Sequence, residues 1–328
     1  MNFLIIGLGS MGQRRIRNLT AHKIKKASIA GMELNQERAS EVAKEYGIQV
    51  FTNLNEALEK FKPDALLIST PPNLHAQLMK KAVKLNKHFF VEVSTSDAGY
   101  AQVIKALKLK PKLVGAPSCT MRFFTPIEKI RQIIKGGKIG QPLIMTHHLG
   151  MYLPDWHPWE DYRKFYVSRK ESSAIKEMIP YELQWLEYLI GDKFISAQGR
   201  VIKLSNLEMS APDTSAAILQ TKSGLMLSLV VEVLARTPLR LLRIISSEGS
   251  LEWHWQAWEI KYYQVKTKRW TTIKLKPETK RKEYAAATEE MYVKEMAAFL
   301  AALKGKAQYP YSFNEDLAHF KLLKRIEV

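Results

Sequence analysis

Thiols are almost absent from this chain: its 328 residues include 1 cysteine, Cys119. No internal disulfide can form, and no Cys/His group stands at zinc-ligand spacing, so a reducing compartment without a metal site is expected. Cys119 reads as a small buried hydrophobe. Long apolar runs are missing as well. The run Phe3-Leu4-Ile5-Ile6 ends at Gly7, without a basic segment before it, and is too short for a signal-peptide core. No other stretch approaches the roughly 20 apolar residues of a membrane span. A soluble cytoplasmic protein with no membrane partner is the expectation. Acidic residues are the third scarcity, with 32 Asp+Glu against 50 Lys+Arg and a formal charge of +18. Such an excess raises polyanions and anionic small molecules as partners. The cations are scattered over helix faces, as in Lys80, Lys81, Lys84 and Lys87, with no base-reading motif, so nucleic acid is not expected.

What is present suffices for real cores, since 46% of residues are hydrophobic. The length exceeds what one core usually supports and predicts two domains. In the first third, short apolar runs alternate with helix-period stretches, the pattern of repeated strand-helix units around a parallel sheet. Strands are expected at Phe3–Gly7, Ser28–Glu33, Gln49–Phe51, Ala65–Thr70, His88–Val93 and Lys112–Pro117. The helices between them are expected at Met11–His22, Gln36–Tyr46, Leu54–Lys60, Leu74–Leu85 and Ala98–Lys108, with Asn53 and Asn73 at N-cap positions. This first domain, residues 1–118, reads as a doubly wound α/β unit.

Residues 119–328 change rhythm. A helix at Pro126–Lys135, a strand at Leu143–His148 and a long helix at Ser172–Leu189 precede seven β-type segments separated by hairpin turns such as Ser223-Gly224. Helices near Tyr284–Leu303 and Asn314–Arg325 end the chain. The expected fold is therefore a doubly wound parallel sheet followed by an α+β domain with a large, mostly antiparallel open sheet.

The first strand runs into Gly7-Leu8-Gly9-Ser10-Met11-Gly12, followed at once by a helix pattern. Gly7 permits the tight turn, Gly9 lets backbone approach a pyrophosphate, and Gly12 lets helix and strand pack closely, leaving the helix N-terminal amides of Ser10 and Met11 for the phosphates. Glu33 follows about 20 residues on, at the end of the second strand, where its carboxylate accepts ribose hydroxyls and repels a 2′-phosphate. No Arg directly follows it, which favours NAD over NADP. Arg14 and Arg15 are open to two readings, phosphate ligands or solvated helix charges.

Further on the chain reads Thr70-Pro71-Pro72-Asn73-Leu74-His75 after the fourth strand and Phe90-Val91-Glu92 after the fifth. With the glycine fingerprint, the turn Gly137-Lys138-Ile139-Gly140 and the antiparallel C-terminal region, the chain resembles the Gfo/Idh/MocA oxidoreductases, a family of NAD(P)-dependent sugar, inositol and nucleotide-sugar dehydrogenases. The resemblance implies a Rossmann domain that binds the dinucleotide, a second domain for substrate and assembly, and oligomers, a homodimer or homotetramer through the C-terminal sheet. It implies that Thr70, Pro71, Asn73 and His75 line the nicotinamide half, and that Glu92 contacts the nicotinamide ribose. Two departures stand out. Where the family has Lys-Pro after that glutamate, this chain has Val93-Ser94, and where the family has D-x-G-x-H, this chain has Glu177-Met178-Ile179-Pro180-Tyr181.

Glu177 and Tyr181 are four residues apart, on one helical face. Tyr181 reads either as the acid/base, with Glu177 beside it, or as a core tyrosine whose hydroxyl finds a carbonyl. A phenol of ordinary pKa near 10 needs a neighbouring cation to act as a base, and Lys176, His148, His157 and Lys164 are candidates. The segment 151–166 is rich in aromatic and charged residues, the mixture a sugar pocket uses. From it Trp156, Trp159, Arg163 and Lys164, joined by His148 and Lys176 from outside it, are read as substrate contacts and His157 as a second catalytic candidate; the alternative is a loop stapled to the sheet by its Trp residues with its charges in solvent. Two functions follow: an NAD-dependent dehydrogenase of a sugar, amino sugar or nucleotide-sugar carbinol, or a non-catalytic NAD- or sugar-binding sensor of the same fold.

Overall fold

The computed structural model describes residues 1–156, 158, 160–277 and 288–327. The described residues form two compact units, one comprising Met1–Thr120 with Ala287–Leu317, the other Met121–Ala286 with Ala318–Val328. The sequence places one boundary at 118; the compact units differ from that in the C-terminal part, where the chain returns to the first unit.

In the first stretch, β1 (Phe3–Ile6), α1 (Ser10–Ala21), β2 (Ile29–Met32), α2 (Gln36–Tyr46), β3 (Gln49–Phe51), α3 (Leu54–Lys60), β4 (Ala65–Ile68), α4 (His75–Lys84), β5 (His88–Val91), α5 (Tyr100–Leu109) and β6 (Gly115–Pro117) alternate. The strands pair in the order β3-β2-β1-β4-β5-β6, every neighbour parallel. Every residue of β1 and β4 is buried, as continuous apolar strands covered on both faces should be. Local signals set the helix ends. The Asn35 side chain accepts from the Arg38 amide, Gly47 ends α2 in the left-handed region, and Asn53 accepts from the Asn55 and Glu56 amides. Asn73, expected as a cap, instead sits exposed inside a 3₁₀ turn at Pro72–Leu74. Two prolines in succession leave no room for a standard cap, because each fixes its own φ and restricts the residue before it.

The chain then forms α6 (Thr125–Lys135), β7 (Pro142–Tyr152), α7 (Leu153–Trp156), α8 (Ala174–Ile190), β8 (Phe194–Ile202), β9 (Thr214–Thr221), β10 (Met226–Glu232), β11 (Leu234–Ser246), β12 (Gly249–His254), β13 (Glu259–Gln264), β14 (Arg269–Lys274), α9 (Glu289–Leu303) and α10 (Phe313–Ile326). The second sheet runs β14-β13-β12-β11-β7-β10-β9-β8. Only β7 and β10 pair in parallel; the other neighbours are antiparallel. Along β9, Ser215, Ala217 and Leu219 are buried while Ala216, Ile218 and Gln220 are exposed, the alternation of a sheet covered on one face. β7 and β11 are longer than the sequence pattern suggests because β11 continues past a register shift between Leu234 and Leu239. At that bulge the Glu232 carboxylate accepts from the Leu234 and Ala235 amides at 2.5 and 2.8 Å, satisfying donors that the interrupted ladder releases.

α9 belongs to the first unit's core. Met296, Phe299 and Leu300 pack with Phe3, Ile5, Leu8 and Ile16, and the Phe299 ring meets Phe90 edge-on at 5.6 Å. Arg14 and Arg15 fit neither reading offered for them, since both are buried. Arg14 pairs with Glu289 at 3.1 Å, and Arg15 pairs with Glu92 and Glu295 at 2.6 and 3.0 Å.

Candidate functional site

Gly7, Thr70 and Glu92 come together in the first unit because β1, β4 and β5 are parallel neighbours whose carboxyl ends share one edge. The strand order reverses between β1 and β4, the place where open α/β sheets bind ligands. Gly7 takes φ +86°, and a Cβ there would lie 2.7 Å from the Ser69 carbonyl; at Gly12 a Cβ would lie 1.9 Å from the Gly7 carbonyl. These two glycines are needed by the fold itself. At Gly9 a Cβ would meet nothing within 4 Å. The space beside Gly9 is open, next to the first turn of α1, whose amides lack intrahelical partners.

Around that opening the polar groups are aimed or unspent. The Glu33 carboxylate, buried, accepts from the Leu8 and Asn35 amides, each at 3.0 Å. An ionised carboxylate offers about four lone-pair sites, so capacity remains for hydroxyl donors. The Arg38 guanidinium, five residues on in the first turn of α2, lies 3.4 Å from it, a neighbour that no motif in the sequence singles out. The buried Thr70 Oγ1 has no hydrogen-bond partner among the described residues, and Pro71 and Asn73 are exposed beside it. His75 behaves differently from its expected lining role. It is 2% exposed, with Nε2 2.9 Å from the Thr70 carbonyl and Nδ1 2.9 Å from Ser94 Oγ. Both ring nitrogens are thus spent inside the unit, tying the Thr70 loop to the residue that stands where the family has proline. Burial pushes the His75 pKa down to about 4, against a smaller upward effect of the Thr70 hydrogen bond. These features fit a dinucleotide: an open glycine turn at a helix N-terminus, an acid with spare lone pairs, and an unpaired hydroxyl.

The second unit holds another group. The Tyr166 hydroxyl donates to Glu177 on α8 at 2.5 Å, and Phe165 meets Tyr166 and Trp156 edge-on, with ring centres 4.6 and 6.2 Å away. Glu177 is therefore met by Tyr166, a residue eleven positions earlier that lies outside α8 in a separate 3₁₀ turn. Tyr181 is partly buried one turn along the same helix. Lys176 is engaged with Glu327 at 3.7 Å. Arg163 is held by Asp161 and Glu208 at 2.8 and 2.9 Å, and Lys164 is exposed. His157 and Trp159 lie outside the described residues.

His148 is not brought to this group. Adjacent strand residues face opposite sides, and it is His147 that turns toward α8, its Nε2 2.6 Å from Glu182. His148 lies on the sheet's other face, 3.2 Å from Glu232. Glu182 also accepts from Trp185 Nε1 at 3.0 Å and Arg240 at 2.7 Å. Burial alone would raise the Glu182 pKa, but Arg240 and His147 outweigh it and hold the carboxyl below its ordinary value. Among the described residues no cluster of His, Cys, Asp or Glu is arranged to hold a metal, and no helix is long and apolar enough to cross a membrane.

Comparison with known proteins agrees with this architecture. Residues 1–115 match the model described as an oxidoreductase family with an NAD-binding Rossmann fold, and residues 127–252 match the GFO/IDH/MocA C-terminal domain. An inositol 2-dehydrogenase of Salmonella typhimurium (strain LT2) is 22% identical over 235 residues, covering 70% of this chain and 66% of that protein. A levoglucosan dehydrogenase solved with NADH and levoglucosan superposes with a TM-score of 0.83 at 18% identity, covering 99% of this chain and 96% of the other. For a UDP-N-acetylglucosamine 3-dehydrogenase of Acidithiobacillus ferrooxidans the TM-score is 0.77 at 18% identity, covering 100% and 98%. With both of its domain models matched in order along one chain, the protein belongs to the Gfo/Idh/MocA oxidoreductase family.

Proposed function

We propose that this chain is an NAD(H)-dependent oxidoreductase acting on a carbinol carbon of a sugar, amino sugar or nucleotide sugar, with the unit of Met1–Thr120 and Ala287–Leu317 binding the dinucleotide and the other unit binding the substrate. The observation that carries the reading is the open space at Gly9, set beside a buried Glu33 with spare acceptor capacity. Gly7, Gly9, Ser10, Met11 and Gly12 hold the pyrophosphate, Glu33 the adenosine ribose, and Thr70, Pro71, Asn73 and Glu92 the nicotinamide half. His75 acts through the loop it ties. The cofactor supplies the acceptor or donor of hydride.

What remains for the chain is the carbinol proton, which a positioned acid/base must take or give. Tyr181 is assigned that part, with Glu177 and Tyr166 as the neighbouring polar pair. Trp156, Phe165 and Tyr166 offer ring faces to the sugar, and Lys164 and Lys176 supply cations. Substrates reported for the relatives set the panel: inositols, levoglucosan and UDP-linked sugars. Robust NADH formation or consumption with a member of that panel, followed at the reduced-nicotinamide absorbance, supports the reading; cofactor binding without turnover on any member overturns the catalytic part. In that outcome the second reading, a non-catalytic NAD- or sugar-binding sensor, holds. It is favoured by one feature, the presence of Val93 and Tyr181 where the family has lysine and histidine.

A further inference from the structure

Glu92 has no cation on its own loop, because Val93 follows it. Its cation comes from α1 instead. The Arg15 guanidinium meets both carboxylate oxygens, Nε to Oε1 at 2.6 Å and Nη2 to Oε2 at 2.9 Å. This fork-on-fork geometry fixes the carboxylate plane as well as its charge. Arg15 is itself fully buried, stacked 4.4 Å from the Phe90 ring centre, and anchored from behind by Glu295 at 3.0 Å. Glu295 is locked in turn, accepting from Ser118 Oγ at 3.0 Å, the Cys119 amide at 2.6 Å and Thr120 Oγ1 at 2.9 Å. Burial draws the Arg15 pKa down, but Glu92 and Glu295 more than offset it and raise it above the ordinary arginine value. Such a group carries charge permanently and passes no proton. Glu92 is the outermost member of the array, with an 11% exposed side chain and Ser69 Oγ 3.5 Å away, at the sheet edge that holds Gly7 and Thr70.

We infer that Arg15 is the positioning residue of this edge, fixing the Glu92 carboxylate so that its outward lone pairs accept the hydroxyls of the nicotinamide-side ribose. The inference rests on the NAD(H) reading above. Lysine in place of Arg15 keeps the charge but is a point donor that cannot grip both oxygens and Glu295 together.

The test titrates NADH, by fluorescence, and ADP, by calorimetry, into the full chain and its Arg15→Lys and Glu92→Gln variants. ADP lacks the nicotinamide half, so its affinity reports any general damage to the unit. The expected result is NADH binding weakened about tenfold in Arg15→Lys, the equivalent of one charge-assisted hydrogen bond, with ADP within about twofold of the parent chain. Glu92→Gln is isosteric and leaves the Arg15–Glu295 pair in place, so it carries the test if Arg15→Lys does not fold. The double variant should bind NADH no more weakly than the weaker single, because both remove the same interaction. Equal loss for NADH and ADP, or no loss for NADH, overturns the inference. A parent chain that binds neither nucleotide overturns the dinucleotide reading and this inference with it.

Discussion

His75 changes meaning once its surroundings are known. The Thr70 carbonyl can only accept, so its bond assigns the hydrogen to Nε2, and Nδ1 then accepts the Ser94 hydroxyl. Protonation of Nδ1 would put a charge where water cannot reach it, and that burial is why the folded chain disfavours it. Below its ordinary pKa of 6.5 the unfolded chain takes up a proton that the folded chain refuses until about 4. Stability is therefore full above pH 6.5 and falls as pH drops toward 4, by about 3 kcal/mol from this group. Urea unfolding at pH 7 and pH 4.5 checks it, and His75→Gln should flatten the difference. At Glu177 the relevant neighbour is Tyr166, and Tyr166→Phe should lower kcat/KM by about tenfold through loss of a hydrogen bond to a charged group, with thermal unfolding little changed. An unaltered kcat/KM would detach that pair from the chemistry.

The strand-turn-helix of β1 and α1 separates two uses of glycine that look alike in sequence. Gly9→Ala should leave unfolding within about 0.5 kcal/mol of the parent, since a Cβ there meets nothing within 4 Å, yet it should cut NADH affinity severely. Gly12→Ala should fail to give folded protein, because its Cβ would fall 1.9 Å from the Gly7 carbonyl. Thermal melts and NADH titration of the two variants distinguish the roles, and equal behaviour would refute them. For α8 the decisive contacts lie on its buried side. Glu182→Ala strands Arg240 and His147 without their shared acceptor and should destabilise the second unit by about 3–5 kcal/mol, read by denaturant unfolding. Most strands and helices were legible from period and turn chemistry, including α2 and α3 to the residue. The two adjacent histidines of β7 were not: alternation says they face opposite ways, but only the partner, Glu182 on a helix 35 positions on, decides which one faces in.

At the scale of the chain, the return of α9 matters most. Residues 1–120 alone lack Met296, Phe299 and Leu300 from their core and leave Arg15 without Glu295. That fragment should show no cooperative unfolding transition by circular dichroism, whereas the full chain should. The open face of the second sheet sets Ile144 beside both Met226 and Ile245 in register, all three exposed, an apolar row suited to the self-association proposed from the resemblance. Ile144→Glu should shift the mass measured by light scattering toward the monomer; an unchanged mass would place any interface elsewhere. The charge of +18 leaves its most informative cations inside the protein, at Arg14, Arg15 and Arg240. The sequence by itself determined the alternating α/β pattern, the glycine turn with its acid, and the family, because these depend on local periodicity and close spacing. Only the tertiary structure decided that Arg15 serves Glu92, that Tyr166 serves Glu177 and that α9 completes the first core. Those contacts join residues separated by eleven to nearly three hundred positions, where burial and unsatisfied charge, not spacing, choose the partner.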